Sequence, residues 1–280
     1  MRKIFVSLLF GLISCGTGLA QPASPPLFLT EADKRLKPRT ITDVCPTDDP
    51  LTKRLLTEYG AIFVASQKVV LPYKCILENE DEVQAFQAIA DATYERVGGV
   101  IVTLQEVALV AFMAARNAAA KEGVAISPRG GSTASTRDYA KTLALWKSRF
   151  HPALRHWTAR GRITKTEADR ARQMQMREQI ATVFAWEDRK IWFSKDLSKS
   201  ILYSVAAPGA SQHNFMLAID IEQYSNARVR KIMGDHGWFQ TVKSDLPHFT
   251  YLGHARDQLE SLGLKREVVS GQEFWIPNME

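Results

Sequence analysis

The clearest periodicity in the chain runs through "TLQEVALVAFMAARNAAAKEG". There Leu104, Val107, Ala108, Ala111 and Ala115 recur at helical spacing, and Gly123 stands where such a helix would be capped. That stripe predicts a buried helix. "NEDEVQAFQAIADATYERV" (79–97) predicts another before it. "DDPLTKRLLTEYG" (48–60) predicts a third, with Pro50 in its first turn and Gly60 closing it. Between these two, "AIFVAS" (61–66) reads as a strand, and the Pro-, Thr- and Lys-rich residues 21–45 read as an extended leader. Downstream, "VAI" at 124–126 suggests a short strand and "SPRGGSTAS" (127–135) a Gly/Ser loop. "TRDYAKTLALWKSRFHPALRHW" resumes helix as far as Pro152. Residues 164–189 read as one helix opened by a capping box of Thr164 and Glu167. After residue 200 the pattern shifts to short apolar runs between Gly and Pro, with a helix near "SNARVRKIMGDHG" and strands at "TYL", "REVV" and "EFWIP". The predicted class is α+β: a small mixed, mainly antiparallel sheet with a helical N-terminal half packed on it.

The start of the chain changes this picture. Arg2 and Lys3 precede the apolar run "IFVSLLFGLIS" and then "CGTGLAQP", the order of a signal peptide over residues 1–20. The run falls short of the roughly 20 apolar residues that span a bilayer, and no later segment approaches that length. Two processing routes fit. Cleavage after Ala20 releases the mature chain, whereas "LISC" offers Cys15 as a lipid anchor. Either way the expectation is a secreted or periplasmic protein of the cell envelope, a monomer without a transmembrane helix once mature. Two cysteines then remain, Cys45 and Cys75, and in an oxidising compartment they are best read as one disulfide. Formal net charge is +6, of which Arg2 and Lys3 supply two, and the basic residues are scattered. One RGG is weak evidence for nucleic acid, which is not expected as a partner. An anionic envelope polymer suits the charge better. The expected division is the signal at 1–20, a mainly helical region at 21–123 and a second region at 124–280.

Candidate chemistry gathers in that last region. "SQHNFMLAID" places His213 and Asp220 seven residues apart. On one straight helix they would lie about 10 Å apart along the axis, and on one strand further still and on opposite faces. To share a metal ion at roughly 2 Å, the chain must turn between them. Ser211 precedes the histidine by two residues after the tight "AAPGAS" turn, and Ala218 precedes the aspartate by two, small enough for close packing. "SDLPHFTY" then supplies Asp245 and His248, three residues apart around Pro247. HExxH, His-x-His, GxSxG, SxxK and phosphate-loop patterns are absent.

Together these elements resemble the zinc D-alanyl-D-alanine carboxypeptidases and dipeptidases and the related L-alanyl-D-glutamate endolysins. Their pattern is Ser-x-His-x-x-Gly-x-Ala-x-Asp, followed later by an acid-x-x-His element. Ser211, His213, Ala218 and Asp220 match the first element, and Asp245 and His248 the second. Met216 stands where the pattern has glycine, a change that falls on the turn and not on a ligand. An upstream Arg-Ser-Tyr element is matched at Arg137 and Tyr139, with Asp138 and Thr142 in place of Ser and Gln. The resemblance covers roughly residues 124–253 and implies that 124–280 is a zinc peptidase domain acting on peptidoglycan stem peptides. A D-alanyl-D-alanine carboxypeptidase fits best; an inactive wall-binding module on the same scaffold is the alternative.

The residue types suit that chemistry. A catalytic Zn2+ keeps three protein ligands and one open position, which His213, Asp220 and His248 would supply. Asp245 is left to act as general base and acid, Arg137 to hold the developing oxyanion or the substrate carbonyl, and Ser211 to bind substrate or orient His213. Each has a plainer reading: Ser211 as a turn residue, Arg137 as a helix cap or a partner of Asp138, with Arg129 as its rival. His236 and His254 are further candidates to line the site. Trp238 and Phe249 read as core, or as an aromatic wall against substrate.

Overall fold

The computed structural model describes residues 25–280, so the signal segment and Cys15 lie outside the described residues. The chain is α+β, with its strands in small antiparallel sheets. Two helices, α1 (Leu27–Leu36) and α2 (Ile41–Val44), replace the expected extended leader. Phe28 and Ala32 are buried on α1, and Thr40 with Asp43 forms a capping box that starts α2. Helix α3 (Pro50–Tyr59) begins at an Asp49 cap with Pro in its first turn. "AIFVAS" is not a strand. Gly60–Val64 wind into a 3₁₀ turn whose five residues are all buried, so their apolar run reflects burial and not extended backbone.

Helix α4 (Glu80–Ile89) is capped by Asn79 and stops at Ala90. Asp91 then adopts φ of +47°, and the residues expected to continue the helix form β1 (Ala92–Val97). β1 pairs antiparallel with β2 (Val100–Gln105) through a turn at Gly98 and Gly99, both at positive φ. Thr, Tyr and Val within "ATYERV" favour strand, and its mostly exposed face gives no apolar alternation to read. Helix α5 (Glu106–Lys121) follows directly and buries Ala108, Phe112, Ala115 and Ala119.

Residues 124–126 form no strand; Pro128 makes an isolated bridge with Ile221 instead. Helix α6 (Tyr139–Ala159) runs through Pro152, because Trp146, Phe150, Ala153 and Leu154 share one buried face that spans the proline. The single helix expected over 164–189 is two, α7 (Lys165–Gln173) and α8 (Met176–Asp188), broken at Met174 and Gln175. The Thr164–Glu167 capping box is present.

The sheet that matters is short. β3 (Ala218–Asp220) leads to α9 (Ala227–Asp235), then β4 (Trp238–Phe239) and β5 (His248–Tyr251), in spatial order β3-β5-β4. A last hairpin of β6 (Leu264–Val269) and β7 (Gln272–Pro277) closes the chain. One hydrophobic core runs from Phe28 to Trp275 and crosses the expected boundary at 123/124 without a break. Phe112 of α5 meets Trp238 edge-on at 6.1 Å, and Phe86 of α4 meets Phe215 at 5.3 Å, so the helical half buttresses both the small sheet and the turn before it. No helix among the described residues is long and apolar enough to cross a membrane. Cys45, at the end of α2, is bonded to Cys75, their Cα atoms 5.1 Å apart.

Candidate metal centre

The two fragments meet through strand pairing. Asp220 is the register partner of His248 across β3 and β5, with Ala218 opposite Thr250. Directly opposed side chains on antiparallel strands lie close on one face, so register alone brings these two ligand candidates together. His213 reaches them because the chain folds back between Ser211 and Leu217: the amides of Asn214, Phe215 and Met216 each return to a carbonyl three residues earlier. Met216 occupies the position of the pattern's glycine, at φ of +54°. The left-handed turn is made with a side chain present, and that side chain is buried. The backbone of Asp220 is locked from the other side, donating to Ala134 O at 2.8 Å and accepting from Arg129 N at 2.8 Å.

The result is a compact triangle. His213 Nε2 and His248 Nδ1 are 3.1 Å apart, and each is 3.3 Å from Asp220 Oδ1. The outer nitrogens are already engaged: His213 Nδ1 with the carbonyl of Ser135 at 3.0 Å, His248 Nε2 with Gln212 Oε1 at 2.7 Å. Both outer partners are acceptors. Gln212 is held in that orientation because its Nε2 donates to Tyr59 O at 2.8 Å while its Oε1 also accepts from Thr250 Oγ1 at 2.5 Å. The outer nitrogens therefore carry the protons, and the inner two present lone pairs toward one another and toward a carboxylate oxygen. Asp220 Oδ1 is buried and has no hydrogen-bond partner among the described residues.

Three acceptors 3.1–3.3 Å apart repel one another unless a cation sits among them. Their spacing matches one face of a tetrahedron with bonds of about 2.0 Å, whose edges are about 3.3 Å. The residues fit a metal ion, and the group His213, Asp220 and His248 could hold one. The backbone carbonyl and the amide that fix the two imidazoles are the usual supports of metal-binding histidines.

Electrostatics agree with that assignment. Burial, aided by the Arg137 charge, lowers the His213 pKa to about 4, so the ring is neutral near pH 7 and free to coordinate. Burial opposes the charge on Asp220, but without a metal ion a proton on His213 or His248 holds its carboxyl well below the usual range. Arg137 Nη2 donates to Asp220 Oδ2 at 2.6 Å, and its Nε to Thr133 O at 3.1 Å. Its Nη1 has no protein partner among the described residues.

A cavity of about 240 Å³ opens against the triangle, and its wall includes His213, His248, Arg137, Asp245 and Ser211. The Asp245 carboxyl has no hydrogen-bond partner among the described residues. Burial, then the nearby Asp220 charge, pushes its pKa up. Ser211 is buried at the cavity wall. The other candidates lie elsewhere. His236 bonds the Ile232 carbonyl at 2.8 Å beside α9, and His254 the Val64 carbonyl at 3.0 Å. Arg129 pairs at the surface with Glu222 at 2.9 Å, Asp138 caps α6 through Lys141 N, and Trp238 and Phe249 are core.

Four supports carried no sequence signal. Gln212 sits between two conspicuous residues in a position the spacing leaves blank. Ser135 and Tyr59 contribute backbone carbonyls, which no side-chain pattern reveals. Gln87 of α4 donates to the carbonyls of both Arg137 and Asn214 at 3.1 Å, tying the Arg137 segment to the turn. Compared with family models, curated proteins and solved structures, the chain has no match in any of the three.

Proposed function

We propose that the chain is an exported zinc peptidase that hydrolyses peptide bonds of peptidoglycan stem peptides, acting as a D-alanyl-D-alanine carboxypeptidase. The observation that carries this reading is the triangle of His213 Nε2, His248 Nδ1 and Asp220 Oδ1 beside a cavity that also holds an unpaired carboxyl and a half-engaged arginine. Two imidazoles and one carboxylate with an open side is the donor set of a catalytic rather than a structural zinc site. The resemblance of both sequence elements to the zinc D-alanyl-D-alanine peptidases supports the substrate class.

When bound, zinc lowers the pKa of a coordinated water toward 7 and polarises a carbonyl. The chain's own residues do the rest. Asp245 accepts the proton of the attacking water at its carboxylate and returns it to the leaving amine nitrogen. Its raised pKa suits both directions of transfer. Arg137 binds Asp220 Oδ2 with Nη2 and keeps Nη1 for the oxygen of the scissile carbonyl. Ser211 offers a hydroxyl at the wall for the peptide backbone. The disulfide and the signal pattern support an oxidising compartment outside the cytosol.

The test joins metal content to turnover. Purified protein should carry one zinc per chain and release D-alanine from an acetylated D-Ala-D-Ala peptide. His248→Ala should lose both the metal and the activity after dialysis. Full zinc occupancy in that variant, or a zinc-loaded wild type inert on such peptides, would refute the reading.

A further inference from the structure

One wall of the cavity is a face of α6, where Thr142, Leu145 and Arg149 follow at helical spacing. Arg137 is matched to a carboxylate, but Arg149 is not. No acid lies within ion-pairing distance of it among the described residues, and the only hydrogen bond from its guanidinium goes from Nη1 to the Ser148 hydroxyl, at 3.0 Å. Its Nε is sealed from solvent and has no acceptor among the described residues, which leaves the Nη groups to meet a ligand. A buried donor without a partner is destabilising, and a guanidinium fork matches a carboxylate better than any other acceptor. The same lining carries the apolar side chains of Leu145, Val205, Ala206 and Val242. At about 240 Å³ the cavity falls below the usual 300–1,000 Å³ of ligand pockets. That volume suits a short chain end.

We infer that Arg149 binds the free C-terminal carboxylate of the substrate and restricts the enzyme to removing a small terminal residue. This rests on the peptidase reading above and adds to it the residue that sets exo-action. The carboxylate supplies the acid that Arg149 lacks and is taken by its Nη groups, and the apolar residues of the cavity lining take a methyl side chain.

The probes are acetyl-D-Ala-D-Ala and its C-terminal amide. Binding is measured by calorimetry on metal-stripped protein, and hydrolysis on zinc-loaded protein. Wild type should bind the acid about 10–100-fold more tightly than the amide, the range expected of a hydrogen bond to a charged group. Arg149→Met should lose that factor for the acid and leave the amide unchanged. In turnover the loss should appear in KM with kcat nearly kept, because the contact is made equally in ground and transition states. Arg149→Lys, which keeps the charge but not the fork, should fall between. It also carries the test should the Met variant not fold. Equal wild-type affinity for acid and amide, or undiminished acid binding in Arg149→Met, overturns the inference. Cleavage of both peptides with equal efficiency, untouched by the substitution, removes the anchor and leaves the peptidase. Arg149-dependent binding of the acid without hydrolysis of either peptide leaves the anchor and removes the peptidase.

Discussion

Asp245 and His213 show how single side chains divide the work. Asp245 belongs to no part of the ligand triangle, so Asp245→Asn should retain zinc nearly as well as wild type. Turnover should still fall by about 10²–10⁴, the usual contribution of a positioned acid–base group. Zinc analysis and initial rates on the same preparation check this; loss of the metal would make Asp245 a ligand. His213 carries a different consequence in the metal-stripped protein. Its folded pKa of about 4 lies below the ordinary value of 6.5, so the unfolded chain binds the extra proton first as pH falls. Stability is therefore lost progressively from about pH 6.5 down to pH 4. Asp220, also lowered, pushes in the same direction at more acid pH. Melting curves of chelated wild type should fall across that window, and His213→Gln should flatten the fall. A chelated wild type equally stable at pH 4.5 and 7 would contradict the burial of a neutral ring.

The elements most legible in the sequence were those with both a periodic face and a cap. Examples are α5 with its buried alanines, α3 with Asp49 and Pro50, and the Thr164 capping box. Misreadings came where tertiary burial outweighs local preference. Gly60–Val64 is apolar because it is surrounded, and α6 passes Pro152 because its buried face continues on both sides. At the site, spacing marked His213, Asp220, Asp245 and His248, but not the acceptors that orient the imidazoles, since two of these supports are backbone carbonyls. Met216 was the visible departure within the first element, and the backbone adopts the glycine-like angle anyway. A neighbouring glycine is stricter. Gly209 has φ of +76°, and a Cβ there would run into the backbone carbonyl of Leu77, whose amide donates to Gly209 O at 3.0 Å. Gly209→Ala combines backbone strain with a clash that no side-chain movement relieves. It should cost roughly 3–5 kcal/mol and lower the melting temperature by about 10 °C. Because Ser211, Gln212 and His213 follow immediately, zinc retention should weaken with it. A melting temperature within 2 °C or so of wild type would show that this close approach has slack.

On the scale of the whole molecule, residues 25–123 reach the cavity and are not an appendage. Tyr59 lines it, and the core is continuous from Phe28 to Trp275. The Cys45–Cys75 bond ties α2 to the segment before α4, and Cys75 N also donates to Val44 O at 3.0 Å. Closing a loop of 30 residues contributes roughly 3–4 kcal/mol by restricting the unfolded chain. A Cys45→Ala, Cys75→Ala protein should accordingly melt about 10 °C lower while binding zinc as wild type does. A shift of less than about 2 °C would mean the surrounding packing suffices without it. The hydrogen bond from Gln212 to the Tyr59 carbonyl reaches further. It makes the outer partner of His248 depend on a residue 153 positions earlier in the chain. Residues 25–123 and 124–280 produced as two separate polypeptides would each lack half of that relay. A metal indicator dye added to a mixture of the two would then follow their reassociation, with ion capture as the readout of two chains finding each other.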